Sequence, residues 1–136
     1  MKVFAVIDTN VIVSALFTKN GDAATAKVFR AFQRREITML YNEEILEEYH
    51  DVLLRPKFKL PKKRIEELMN FVREEGIPSA RIHSDESFPD PKDVVFYEVA
   101  LSRDDSFLVT GNTKHFPDKP IVVTPAEMVE ILESNR

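Results

Sequence analysis

Short apolar runs alternate with amphipathic stretches along the chain, and that alternation sets the expected architecture. Residues 3–7 are uninterruptedly apolar, as expected for a strand buried on both faces of a parallel sheet. Residues 10–17 read as a helix. So do 23–35, where Ala24, Val28, Ala31 and Phe32 make one apolar stripe. A second strand is predicted at 37–41, helices at about 43–54 and 61–75, and a weak strand near 80–83. Residues 91–103 read as a helix opened by Asp90 as N-cap with Pro91 at its first position. Strands follow at 107–111 and 121–123, and Thr124-Pro125-Ala126-Glu127 is a capping box that starts a last helix. Strands alternating with helices predict an α/β sandwich on a mostly parallel sheet of about five strands.

Composition narrows the function classes. A chain of 136 residues, 43% hydrophobic and 31% charged, fits one globular domain over residues 1–136. The absence of cysteine excludes disulfides, thiolate zinc sites and cysteine nucleophiles. His50, His83 and His115 lack ligand spacing, so no zinc site is expected. The N-terminus brings Asp8 before a signal peptide's apolar region could be completed, and no run approaches the roughly 20 apolar residues of a membrane helix. A cytoplasmic protein with no membrane partner is the expectation. A net charge of −4 excludes a surface that is basic all round and leaves room for a local basic patch.

Acids recur at the inner edges of apolar faces. Asp8 directly follows the first strand and Asn112 the fourth, which places both at the carboxyl ends of strands, where open α/β sheets bind ligands. A plain alternative makes Asp8 only the N-cap of the next helix. On the helix at 43–54, Ile45, Leu46, Tyr49, Val52 and Leu53 form the apolar stripe; Glu48 lies at its edge and Glu47 points away. Glu44, one turn earlier, is the second-choice ligand. Asp93 shares a stripe with Phe96, Tyr97 and Ala100, and its own alternative is to complete a cap with Asp90. Carboxylates so placed are costly without a cation. Magnesium suits them, being held by one or two carboxylates plus water and substrate phosphate.

The order of these segments resembles that of PIN-domain nucleases. Val-Ile-Asp-Thr-Asn-Val-Ile-Val-Ser-Ala-Leu (6–16) is similar to their opening motif. Asn-Glu-Glu-Ile-Leu-Glu-Glu-Tyr-His-Asp-Val-Leu followed by Arg-Pro-Lys-Phe is similar to the second, Asp-Pro-Lys-Asp (90–93) to the third, and Leu-Val-Thr-Gly-Asn-Thr-Lys-His-Phe (108–116) to the fourth. Four motifs in register span nearly the whole chain, with the likeness greatest to VapC-like toxins of toxin–antitoxin pairs. The resemblance implies a three-layer α/β/α fold and an Mg2+- or Mn2+-dependent ribonuclease. It implies Asp8, Glu48 and Asp93 as catalytic metal ligands, with Thr9 and Thr110 positioning water or phosphate. An antitoxin partner and a homodimer are family expectations too, with Phe17, Phe58 and Phe116 as exposed apolar residues for the latter. The fourth family position is often acidic and is Asn112 here, so one firmly bound ion is expected rather than two.

The run Arg55 to Arg64 carries six positive charges around Phe58. Arg55, Lys57, Lys62, Lys63 and Arg64 are the expected RNA contacts, and the alternative is a solvated connector between helices. Lys27, Arg30, Arg34 and Arg35 line another helix that can add to the patch. A competing function keeps the fold and binds RNA or a protein without cleaving; the uncharged Asn112 favours it, whereas Asp8, Glu48 and Asp93 oppose it.

Overall fold

A computed structural model describes residues 2–136. Five strands form one sheet, all parallel: β1 (Val3–Ile7), β2 (Ile37–Tyr41), β3 (Ile77–Pro78), β4 (Ser106–Val109) and β5 (Val122–Val123). Their order across the sheet is β3-β2-β1-β4-β5. Six α-helices accompany them among the described residues: α1 (Thr9–Phe17), α2 (Ala24–Gln33), α3 (Glu43–Leu53), α4 (Lys62–Glu75), α5 (Val94–Ala100) and α6 (Pro125–Ser134). The α2 helix packs on β2 and α6, while α5 packs on β1 and β4 and touches α3. All five residues of β2 are buried, so helices cover both faces of the sheet and the fold has three layers. One hydrophobic core gathers residues from Val3 to Leu132.

The expected caps are present. The Thr124 hydroxyl accepts from the Glu127 amide at 3.1 Å, and the Glu127 carboxylate accepts from the Thr124 amide at 2.9 Å. The α3 stripe of Ile45, Leu46, Tyr49, Val52 and Leu53 is buried, with Glu47 exposed and Glu48 half-buried at its edge.

Four expectations need correction. The third strand is Ile77–Pro78, not 80–83: Pro78 has no N–H to continue a ladder, and the Ile82 amide instead donates to the Glu98 carbonyl at 3.0 Å. The helix expected at 91–103 opens as a 3-10 turn, Pro91–Asp93, and its α-helical part ends at Ala100. The helix expected at 23–35 stops at Gln33 because Arg35 turns left-handed (φ 64°). The Arg35 and Glu36 amides then donate to the carbonyls of Phe32 and Ala31, a Schellman closure built without glycine. Phe116, expected in solvent, is buried edge-on against Phe88 at 6.2 Å.

Gly76 joins α4 to β3 at a close backbone approach. A Cβ there would lie 2.6 Å from the Val72 carbonyl oxygen and 2.8 Å from that of Met39. Gly76→Ala is therefore expected to cost about 2 kcal/mol or more, because neither obstacle is a movable side chain. A lower urea midpoint at unchanged slope is the expected measurement. An unchanged midpoint would mean that α4 can draw away from β2 freely.

Candidate active site

From β1 the sheet grows to β2 on one side and to β4 on the other, so the carboxyl ends of β1 and β4 flank the switch point of the topology. Asp8 follows β1 there, and Thr110-Gly111-Asn112 follows β4. The two turns are laced together: the Asp8 amide donates to the Val109 carbonyl at 2.9 Å, and the Gly111 amide to Asn10 Oδ1 at 3.3 Å.

Asp8 is only 7% exposed. Its backbone caps α1, the carbonyl accepting from the Val11 amide at 3.0 Å, but its side chain makes no capping bond. The side chain is turned instead to β4, where Oδ2 accepts from the Thr110 hydroxyl at 2.7 Å. That hydroxyl in turn accepts from the Asn112 amide at 3.0 Å. Tyr49, fully buried on α3, donates to the Ile7 carbonyl just before Asp8.

Asp93 stands at the junction of the Pro91–Asp93 turn and α5. Capping falls to Asp90, whose carboxylate accepts from the Lys92 amide at 3.0 Å. Asp93 is thus left free of capping: its Oδ2 is buried with no hydrogen-bond partner, and His115 Nδ1 lies 3.3 Å away. Thr9 Oγ1 is likewise buried and unpartnered. Burial pushes the Asp8 carboxyl up to about 6, with the Thr110 hydrogen bond opposing and the Asp93 charge adding to the rise. Asp93 is also raised, first by burial, then by the charge of Asp90; Glu48 adds to the rise and His115 opposes it. The three acids proposed from the sequence therefore feel one another in a chain, Asp8 with Asp93 and Asp93 with Glu48.

The PIN domain family model matches residues 5–114, four-fifths of the chain and all the groups just described except His115. The chain belongs to the PIN domain family. No curated protein matches it in sequence. PIN domains are generally nucleases, typically dependent on divalent metals.

Whether this PIN domain's residues fit such a metal can be tested on their bonding. Among the described residues, no three His, Asp or Glu side chains are gathered closely enough to cage an ion. Two inward carboxylates with an orphaned oxygen, an orphaned hydroxyl beside them and mutual repulsion nonetheless call for positive charge. That donor set suits a largely hydrated ion with substrate phosphate completing its shell. Asp8 and Asp93 are the side chains able to hold it, with Glu48 at the margin.

Other expected members of the site fall elsewhere. Glu44 is turned away: exposed, it pairs with Arg81 at 2.8 Å, and Arg81 also pairs with the buried Glu98 at 2.7 Å. Asp90 is used as a cap. Asn112 is half-buried and contributes its amide to Thr110. Sequence reasoning missed Tyr49 and Asn10, which brace the turn, and His115, which has no spacing signal and reaches Asp93 only through the fold. Arg55, Lys57, Lys62, Lys63 and Arg64 are all exposed at the α3–α4 connection.

Proposed function

We infer that this PIN domain is a metal-dependent endoribonuclease acting as the toxin of a toxin–antitoxin pair. The observation that carries the nuclease reading is the pair Asp8 and Asp93, two inward carboxylates at the switch point of the sheet with, among the described residues, no Lys or Arg paired to either and only His115 near Asp93. Bound Mg2+ or Mn2+ would supply Lewis-acid activation of a phosphoryl oxygen and a more acidic water. Asp8 is held for ligation by Thr110, which fixes one oxygen and leaves the other available. Asp93 offers Oδ2, which no hydrogen bond fixes and which only His115 approaches. Glu48, at the rim, accepts the proton of the attacking water; that water's oxygen bonds to phosphorus as the bond to the leaving ribose oxygen breaks. The leaving oxygen takes its proton from solvent.

The toxin assignment and its antitoxin rest on the motif resemblance alone, as does a homodimer. Growth arrest on expression, relieved by co-expression of the neighbouring gene's product, is the expected result; growth unaffected by the active protein would remove the toxin role. No described helix is long and apolar enough to cross a membrane.

The nuclease itself is tested by cleavage of a labelled single-stranded RNA with manganese, magnesium or EDTA. Metal-dependent cleavage is expected. Its absence in clean protein over several RNAs would favour the second reading, a PIN module that binds without cutting. The uncharged Asn112 at an often acidic position is the observation on that side.

The basic segment gives the RNA a contact surface. Replacing Lys62, Lys63 and Arg64 together by Glu is expected to weaken RNA binding and to flatten its salt dependence, the slope falling by about two for three lost phosphate contacts. An unchanged slope would take the segment out of the interface.

A further inference from the structure

At the opposite end of α1 from Asp8, Phe17 stacks on Phe58, ring centroids 5.1 Å apart and planes 23° from parallel. Phe17 is 42% exposed, and its only companion among the exposed large apolar residues described is Ile82. Phe58 lies half-buried in a 3-10 turn, Pro56–Phe58, between α3 and α4. Lys57 holds its ammonium 5.2 Å from the Phe58 ring centre. The outer face of Phe17 thus tops a two-ring stack that a cation already approaches.

The segment beside this stack, Arg55 to Arg64, carries six cations and no acid. Arg35, Arg73, Arg81, Arg103 and Arg136 each pair with a carboxylate. Arg55, Lys57, Lys59, Lys62, Lys63 and Arg64 are exposed, and among the described residues none of them forms an ion pair. A protein with net charge −4 therefore leaves six cations free beside an exposed aromatic face. An apolar contact with another protein would use the ring but not the charges. A polyanion with flat apolar faces uses both.

We propose that the Phe17–Phe58 stack is a base-stacking platform, a subsite that holds one unpaired base of the RNA while the basic segment grips the neighbouring phosphates. The proposal rests on the ribonuclease reading. Phe17 ends the helix that Asp8 begins, and nine residues of helix span about 13 Å, so the held base lies a few nucleotides from the scissile bond. Every base has a face to stack, so the platform selects unpaired structure rather than sequence. A duplex hides its base faces and is excluded from it.

The test uses the whole protein in EDTA, so that binding is read without cleavage. The probe is a short single-stranded RNA carrying a fluorescent adenine analogue whose emission is quenched by stacking. Binding by wild type is expected to quench it. Phe17→Leu keeps the site apolar and is expected to lose the quench and to weaken binding about tenfold, while Phe17→Tyr restores both. The same strand annealed to its complement, with the analogue already stacked inside the duplex, is expected to bind wild type and Phe17→Leu equally. A wild type that neither binds nor quenches, or a Phe17→Leu variant with unchanged affinity and quench, overturns the platform. So does a shift of Phe17→Leu from dimer to monomer in sedimentation with RNA binding intact, since the ring would then face a second copy. Cleavage of the same RNA with manganese is scored separately. Quenching without cleavage refutes the ribonuclease and leaves the platform standing, whereas cleavage with an indifferent Phe17→Leu variant does the reverse.

Discussion

Asp8→Asn is expected to reduce RNA cleavage at least about a thousandfold, the several kcal/mol that metal activation is worth, and at the same time to stabilise the metal-free protein at neutral pH. The second effect distinguishes a ligand from a structural aspartate. In the folded chain the Asp8 carboxyl is raised from 3.8 to about 6, chiefly by burial and against the Thr110 hydrogen bond, with the Asp93 charge adding to the rise. The unfolded chain gives up this proton near its ordinary value, so between the two values the folded state binds more protons. Stability therefore falls as pH rises through that window, and above about 6 the loss is complete, about 3 kcal/mol. Asn escapes the cost: it carries no charge and keeps an oxygen able to accept from Thr110. In EDTA, wild type should melt lower at pH 8 than its Asp8→Asn variant, and the gap should close by pH 4. Manganese should raise the wild-type melting temperature and leave the variant's nearly unchanged. A variant that still cleaves would end the assignment of Asp8 as a ligand. One that melts below wild type at both pH values would make Asp8 a structural residue.

What the chain announces about itself is local. The β1 run is apolar throughout and β2 is apolar but for Thr38 and the Tyr41 hydroxyl because helices cover both sheet faces, and the α3 stripe is legible because one helix face meets the core. The same logic singled out Asp8, Glu48 and Asp93, each at the end of a strand or the edge of a stripe. Where an expectation failed, the deciding contact was distant or the residue type misleading. Arg35 occupies a left-handed position that glycine usually marks, so the end of α2 carried no signal. Residues 80–83 look like a strand, yet Arg81 is drawn to Glu44 and Glu98 and carries the segment to α5. Phe116 sits among charges in sequence but under Phe88 in space. Glu44 looked like a ligand one turn from Glu48 until Arg81 claimed it. The lacing of Asp8 to Thr110 spans 102 residues and depends on β4 settling beside β1, which alternation alone does not dictate.

That lacing makes Thr110→Val the most informative change outside the carboxylates. Valine keeps the branched shape in a fully buried position and removes the hydroxyl. Asp8 then loses the donor that most opposes its burial, and its carboxyl rises further above about 6. The Asn112 amide loses its acceptor as well. A buried group left unpaired costs about 1–3 kcal/mol, so a modest drop in melting temperature is expected. Loss of a residue that orients a ligand typically costs roughly ten- to hundredfold in metal affinity. Manganese titrated by melting shift at pH 7 should reveal that loss. Raising the pH should recover part of it, because deprotonating Asp8 restores the charge that Thr110 no longer secures. Thr110→Ser keeps the hydroxyl and should bind manganese nearly as wild type does, at the small cost of a missing methyl group. If Val and Ser variants weaken metal binding equally, Thr110 acts through packing alone. If neither weakens it, the ion sits away from Asp8 and the site must be sought nearer Asp93 and Glu48. A pH-dependent loss in Val alone would tie the Asp8 carboxylate, the β1–β4 junction and the chemistry into one device.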